Sequence, residues 1–142
     1  MIPKYRAWTK SLKWMCDVTN ISFDSKFVDI CQQGDTERCI EMSVEFDEIK
    51  LMQSTGLTDK NGKEIFDGDI VRTTRFLGRA DEIGGFYEYE KDYVGVVKVL
   101  EGSWVIDTGI VAVRLWSEID ESEVLGNIYE NPELLEEANE TL

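Results

Sequence analysis

Between residues 40 and 46 the chain alternates strictly. Ile40, Met42, Val44 and Phe46 are apolar, and Glu41, Ser43 and Glu45 between them are polar. A period of two places one set on each side of a pleated strand, so this segment is expected to be half-buried. Upstream, residues 4–8 and 13–18 are expected as a strand pair about the turn Lys10-Ser11-Leu12-Lys13. Tyr5, Ala7 and Trp8 then face Trp14, Met15 and Val18. Residues 21–23 and 27–31 continue in β-type residues until Gln32-Gln33-Gly34-Asp35 breaks the pattern. In the second half, Tyr93–Leu100, Ser103–Asp107 and Ile110–Trp116 are three further strands. Glu101-Gly102 and Thr108-Gly109 separate them, and Gly95 inside a strand predicts a sharp bend or bulge.

The middle of the chain, Thr55 to Val71, carries the densest turn signals. Asn61-Gly62 predicts a type I′ hairpin turn, because both residues tolerate positive φ. Its arms are Leu57 to Lys60 and Lys63 to Phe66, and Asp67-Gly68-Asp69 turns the chain into a strand at Ile70. A tight Gly-Asp turn before a Val-rich strand is typical of SH3-like barrels. Residues 75–92 are polar and Gly-containing, broken by Phe86, Tyr87 and Tyr89, and read as a long loop or a loosely twisted hairpin. At the end, Asn131 is an N-cap candidate, Pro132 suits the first helical position, and Glu133 to Ala138 completes about two turns. The expected fold is therefore mainly β. It has an SH3-like, bent barrel core over 55–142, an N-terminal β subregion over 1–54 and a short C-terminal helix, all in one domain.

Composition narrows the chemistry. The 142 residues contain no histidine, which removes Ser-His-Asp and Cys-His systems and the usual imidazole base. An enzyme is not expected. Cys16, Cys31 and Cys39 are an odd number without a CxxC pair, so reduced, buried thiols are expected rather than a disulfide framework or a zinc site. The net charge of −14 falls almost wholly on residues 81–142, with 3 basic and 16 acidic residues against 12 and 13 before them. Such a surface repels a phosphate backbone. It serves either solubility or a basic partner, the second including mimicry of nucleic acid. No apolar run approaches the roughly 18 residues of a spanning helix, and the start lacks the apolar region of a signal peptide.

Three groups of residues stand out. Asp59, Asn61, Glu64, Asp67 and Asp69 are a dense oxygen set, but glycine falls at the fourth position of the run from Asp59, whereas a calcium loop needs it at the sixth. Turn formation explains the set, and no metal or other cofactor is expected. A nuclease built on Asp59, Asp67 and Asp69 is the weakest of the readings. Arg72, Arg75 and Arg79 form a small basic cluster expected to pair with carboxylates. Phe86, Tyr87, Glu88, Tyr89, Glu90 and Asp92 mix aromatic and acidic residues, as protein-contact surfaces do. The alternative is a hairpin whose aromatic side covers the barrel. Trp104 and Trp116 are expected in the core.

Taken together, these segments resemble the YopX family of phage and prophage proteins. The resemblance rests on Tyr5-Arg6-Ala7-Trp8 with Met15, on Leu51-Met52-Gln53 leading into the Thr55–Val71 run, on Val94-Gly95-Val96-Val97, and on Gly126-Asn127-Ile128-Tyr129-Glu130-Asn131-Pro132-Glu133-Leu134. Within it Gly56, Asn61, Gly62, Gly68, Asp69, Gly126 and Asn127 are expected to be structural. Thr9 and Ser54 depart from the acidic and aromatic residues expected there, and residues 20–44 and 75–92 match nothing particular. The resemblance implies a small β-rich protein of the bacterial cytoplasm and assigns no catalytic residue. The function expected is that of a non-enzymatic accessory protein acting through protein partners, as a homo-oligomer, without nucleic-acid or membrane binding. The alternative is an acidic inhibitor occupying the nucleic-acid site of a host protein.

Overall fold

The computed structural model describes residues 4–32, 42–80, 84–115 and 121–140. The chain divides into two compact units, Met1–Ser54 and Thr55–Leu142. The fold is mainly β, with one short helix at the C-terminus. No helix among the described residues is long and apolar enough to cross a membrane.

In the first unit, β1 (Tyr5–Thr9), β2 (Met15–Ser22), β3 (Phe27–Gln32) and β4 (Met42–Glu45) form an antiparallel sheet with the first part of β5 (Ile49–Thr58). The order is β4-β3-β2-β1-β5. The register explains its core. Ala7 lies opposite both Cys16 and Leu51, Val18 opposite Ile30, and Val28 opposite Val44. Directly opposed residues share a side of the sheet, so one continuous apolar face forms, and Ala7, Cys16, Val28, Ile30 and Ile49 are buried in it. Met42 and Val44 of β4 pack against this core while Ser43 and Glu45 are exposed, which is the predicted alternation. Cys39, Ile40, Glu41 and the turn at 33–35 lie outside the described residues.

Cys16 is a buried free thiol, and burial pushes its pKa up, helped by the charge of Asp17. Cys31 departs from the expected thiol: it is disulfide-bonded.

In the second unit the last part of β5 turns back on β6 (Glu64–Phe66). Five further strands follow: β7 (Asp69–Ala80), β8 (Phe86–Leu100), β9 (Ser103–Asp107), β10 (Ala112–Arg114) and β11 (Glu121–Asn127). They pair in the order β10-β9-β8-β7-β11. This order has two free ends, so the sheet is bent but not closed into the expected barrel. The bend is strong enough that Arg75 of β7 reaches the end of β10 and donates to the carbonyl of Arg114 at 2.5 Å. Ile65, Val71, Val97, Ile106 and Leu115 fill the enclosed side, with Leu57, Trp104 and Val124 packed against them. Trp104 thus belongs to the core, and Trp116 lies outside the described residues. The helix α1 (Glu133–Glu140) packs beside β8.

Two turns differ from expectation. Gly62 has φ +82, but Asn61 does not have positive φ, and Gly62 N–H donates to the Asp59 carbonyl at 3.0 Å. The loop is therefore a type I turn with glycine in the left-handed bulge position, not type I′. The type I′ position is at Glu101-Gly102, where both φ are positive (+52 and +80) between the opposed residues Leu100 and Ser103. Gly95 is not a bend. It sits in regular register opposite Val71, and a Cβ there would lie 2.3 Å from the Asp107 carbonyl oxygen. Close approach of another backbone is what requires glycine here.

Candidate functional site

The acidic turn residues are absorbed by the backbone. Asp59, only 7% exposed, accepts from Asn61 N–H and Lys63 N–H through Oδ1, and from Val124 N–H through Oδ2. Burial pushes its pKa up, but these three N–H groups and the charge of Lys63 outweigh burial and hold it below the ordinary carboxylate value. One side chain thus ties the hairpin loop to β11, 65 residues away, and Lys60 N–H adds a bond to the Ser122 carbonyl. Val124 is also where the β11 register shifts. Asp69, 1% exposed, accepts from Phe66 N–H and so closes the Asp67-Gly68 turn.

Asn127, opposite Asp69, organises the other end of the same knot. Its Oδ1 accepts from Tyr129 and Glu130 N–H, its amide donates to Glu130, and its carbonyl accepts from Asn131 N–H. Ile128 N–H donates to the Gly68 carbonyl, and Gly68 N–H to that of Val97. Asn131 turns its side chain back to Asn127 N–H and lies against Gly126, where a Cβ would come within 2.4 Å of it. Its carbonyl accepts from Leu134 N–H at the start of the helix. Gly56 bends β5 with φ +79, beside the Thr55 hydroxyl that donates to the Ile65 carbonyl. Asn61, Gly62, Gly68, Asp69, Gly126 and Asn127 are therefore brought into one turn assembly. Among the described residues, no group of three or more Cys, Asp or Glu is placed to hold a metal.

The second candidate region is the hairpin of β7 and β8, paired without interruption from Ile70↔Val96 to Ala80↔Phe86. Among the described residues, β11 pairs with β7 as far as Thr74, and β9 pairs with β8 from Val96 onward. Beyond these limits a two-stranded arm continues for six steps, roughly 20 Å. Of the two expectations for this segment, a long loop or a hairpin, the hairpin is the one that forms, and Phe86, Tyr87, Glu88, Tyr89, Glu90 and Asp92 are its β8 side. Glu88, Glu90 and Asp92 are exposed, and Tyr89 is 39% exposed. Asp92 accepts from the Thr74 hydroxyl at 2.7 Å, and Lys91 stands 5.2 Å from the centre of the Tyr93 ring.

The arginine cluster is split by strand parity. Arg72 pairs with Glu123 at 2.5 Å, next to Lys60 at 3.7 Å. Arg75 and Arg79 occupy positions on the other side of the ribbon. Spacing in sequence groups the three arginines; only the register separates them. Elsewhere, Lys98 pairs with Asp107 at 2.6 Å and, with Gly109 N–H, holds that carboxyl low.

The family model described as YopX protein matches residues 4–136. No curated protein matches the chain. The crystal structure of protein EF1440 from Enterococcus faecalis is similar to it, with a TM-score of 0.55 and 27% identity, over 95% of this chain and 99% of that one.

Proposed function

Since the chain belongs to the YopX protein family, we propose that it is a non-enzymatic accessory protein of a phage or prophage, working in the bacterial cytoplasm through protein–protein contacts made by the β7–β8 arm. What supports this reading is the division of labour between the two regions. The carboxylates best suited to chemistry, Asp59 and Asp69, are buried and spend their oxygens on backbone N–H groups. The arm is outside the covered part of the sheet and presents Glu88, Tyr89, Glu90 and Asp92 to solvent. An isolated two-stranded ribbon is marginal in water, so a contact that covers it also steadies it. The reducing cytoplasm would keep Cys31 as a thiol, and the disulfide form then belongs to the oxidised protein.

Affinity capture from a lysate of the bacterial host tests the reading, comparing the natural chain with the double substitution Tyr89→Ala, Glu90→Ala. Both should melt at the same temperature. A specific protein should be retained by the natural chain and fall about tenfold with the variant, as expected when one aromatic anchor is lost. Equal retention by the two proteins would contradict a role for the arm.

A further inference from the structure

One asparagine of the chain precedes a glycine. Asn20, Asn127, Asn131 and Asn139 are followed by Ile21, Ile128, Pro132 and Glu140, and Asn61 by Gly62. That neighbour governs the chemistry of the side-chain amide. The backbone nitrogen of the next residue can attack the asparagine Cγ, and a side chain on that residue obstructs the approach. Glycine carries no such side chain, and the space beside Gly62 is open, since a Cβ there would meet nothing within 4 Å. Asn61 and Gly62 are both exposed, so water and base reach the pair.

The turn opposes this attack. Gly62 N–H donates to the Asp59 carbonyl at 3.0 Å, which puts Asn61 at the third position of a type I turn, where ψ is about 0°. Attack needs the Gly62 nitrogen rotated to the Cβ side of Asn61 and stripped of its hydrogen. Both steps break that hydrogen bond. Asp59 Oδ1 holds the turn closed by accepting from Asn61 N–H at 2.9 Å and from Lys63 N–H at 2.8 Å. Asp59 N–H adds a bond to the Lys63 carbonyl at 2.8 Å. Reaction at Asn61 therefore waits on local opening of the loop.

We propose that Asn61 is a site of spontaneous deamidation gated by Asp59, a slow chemical clock set into the loop that Asp59 ties to β11. When the loop opens, the Gly62 nitrogen gives its proton to solvent base and bonds to Asn61 Cγ. The side-chain Cγ–N bond breaks, and its nitrogen takes a proton from water and leaves as ammonia. Water then opens the resulting succinimide at either carbonyl, leaving aspartate or isoaspartate at position 61. The reaction consumes water alone and needs no oxidant or reductant. Isoaspartate routes the main chain through the side-chain methylene, so Gly62 and Lys63 N–H no longer meet Asp59 in register. Aspartate sets a second carboxylate beside that of Asp59. Either product loosens the loop whose Asp59 Oδ2 accepts from Val124 N–H. None of this depends on what the arm contacts.

Mass spectrometry on the full-length chain, aged in mildly alkaline buffer, tests this, with fragment sequencing to place each conversion. The first comparison needs no variant. In urea that unfolds the chain, Asn61 should convert faster than the other asparagines, and about tenfold or more faster than in the folded protein. Folded Asp59→Asn should then speed conversion at position 61 by about tenfold, the shift in opening expected when a buried N–H loses its acceptor. Ile106→Val destabilises the same unit from its core and should leave the rate within about twofold of the natural one, because the loop opens locally. Protein converted at position 61 should melt below the unconverted chain. Equal rates in the folded and unfolded chain, or no acceleration by Asp59→Asn, would overturn the proposal. Equal acceleration by both variants would overturn it too, as would faster conversion at another asparagine in urea. A converted protein that melts with the unconverted one would overturn the hold of this site on the fold.

Discussion

Asp59 shows how much one side chain can carry. Its two oxygens satisfy three backbone N–H groups on both sides of a 65-residue separation. In Asp59→Asn one of those oxygens becomes an amide that cannot accept, leaving a buried N–H unpaired at a cost of about 1–3 kcal/mol. The folded pKa is held low, so the stabilisation is fully present above the unfolded value near 3.9 and fades as pH falls through the folded value. Denaturant titrations of both proteins from pH 7 down to pH 2 should show the natural chain losing its advantage over the variant below about pH 4. A constant difference across that range would mean the carboxylate charge is irrelevant. The need for a residue with turn-forming oxygens was legible in Asp59-Lys60-Asn61-Gly62. The bond to Val124 was not, because nothing local in sequence marks a partner so distant.

At the scale of single elements, the sequence pattern located strands and hairpins well and misjudged their fine geometry. Asn61-Gly62 does make a hairpin, but Asp59 collects Asn61 and Lys63 N–H and draws the loop into a type I turn with a bulge. Glu101 takes up the left-handed conformation in a type I′ turn, where a side chain with a Cβ normally costs about 1–2 kcal/mol. Glu101→Asn should therefore raise the melting temperature by about 3 °C, measurable by calorimetry; a fall would contradict the turn assignment. Gly95 read as a bend because glycine in a strand has several uses. Its actual reason is the Asp107 carbonyl packed over it. Gly95→Ala must push a backbone rather than a flexible side chain, and should destabilise the protein by about 3 kcal/mol or more. The arm escaped a firm reading because its apolar residues do not alternate along the sequence: Phe76 and Leu77 are adjacent, as are Phe86 and Tyr87.

At the scale of the whole molecule, the residues that mark the family and the residues proposed for contact are different sets. Asp59, Gly68, Asp69, Gly126 and Asn127 sit in a knot of turns that fixes β5, β7 and β11 and precedes the helix. Their concentration in short motifs made them easy to find and invited a metal-site reading that their hydrogen bonds explain otherwise. Residues 75–92 carry none of the motifs behind the resemblance, and the length of the arm appears only once the register is known. The central claim is that the knot builds the fold and the arm does the work. Its most direct test is to remove residues 76–90, join Arg75 to Lys91 through an Asn-Gly turn, and capture partners from host lysate. The shortened protein should melt with the natural one and lose the host protein that the natural chain retains. Retention of the same proteins in the same amounts, by a shortened chain that is still folded, would contradict the account.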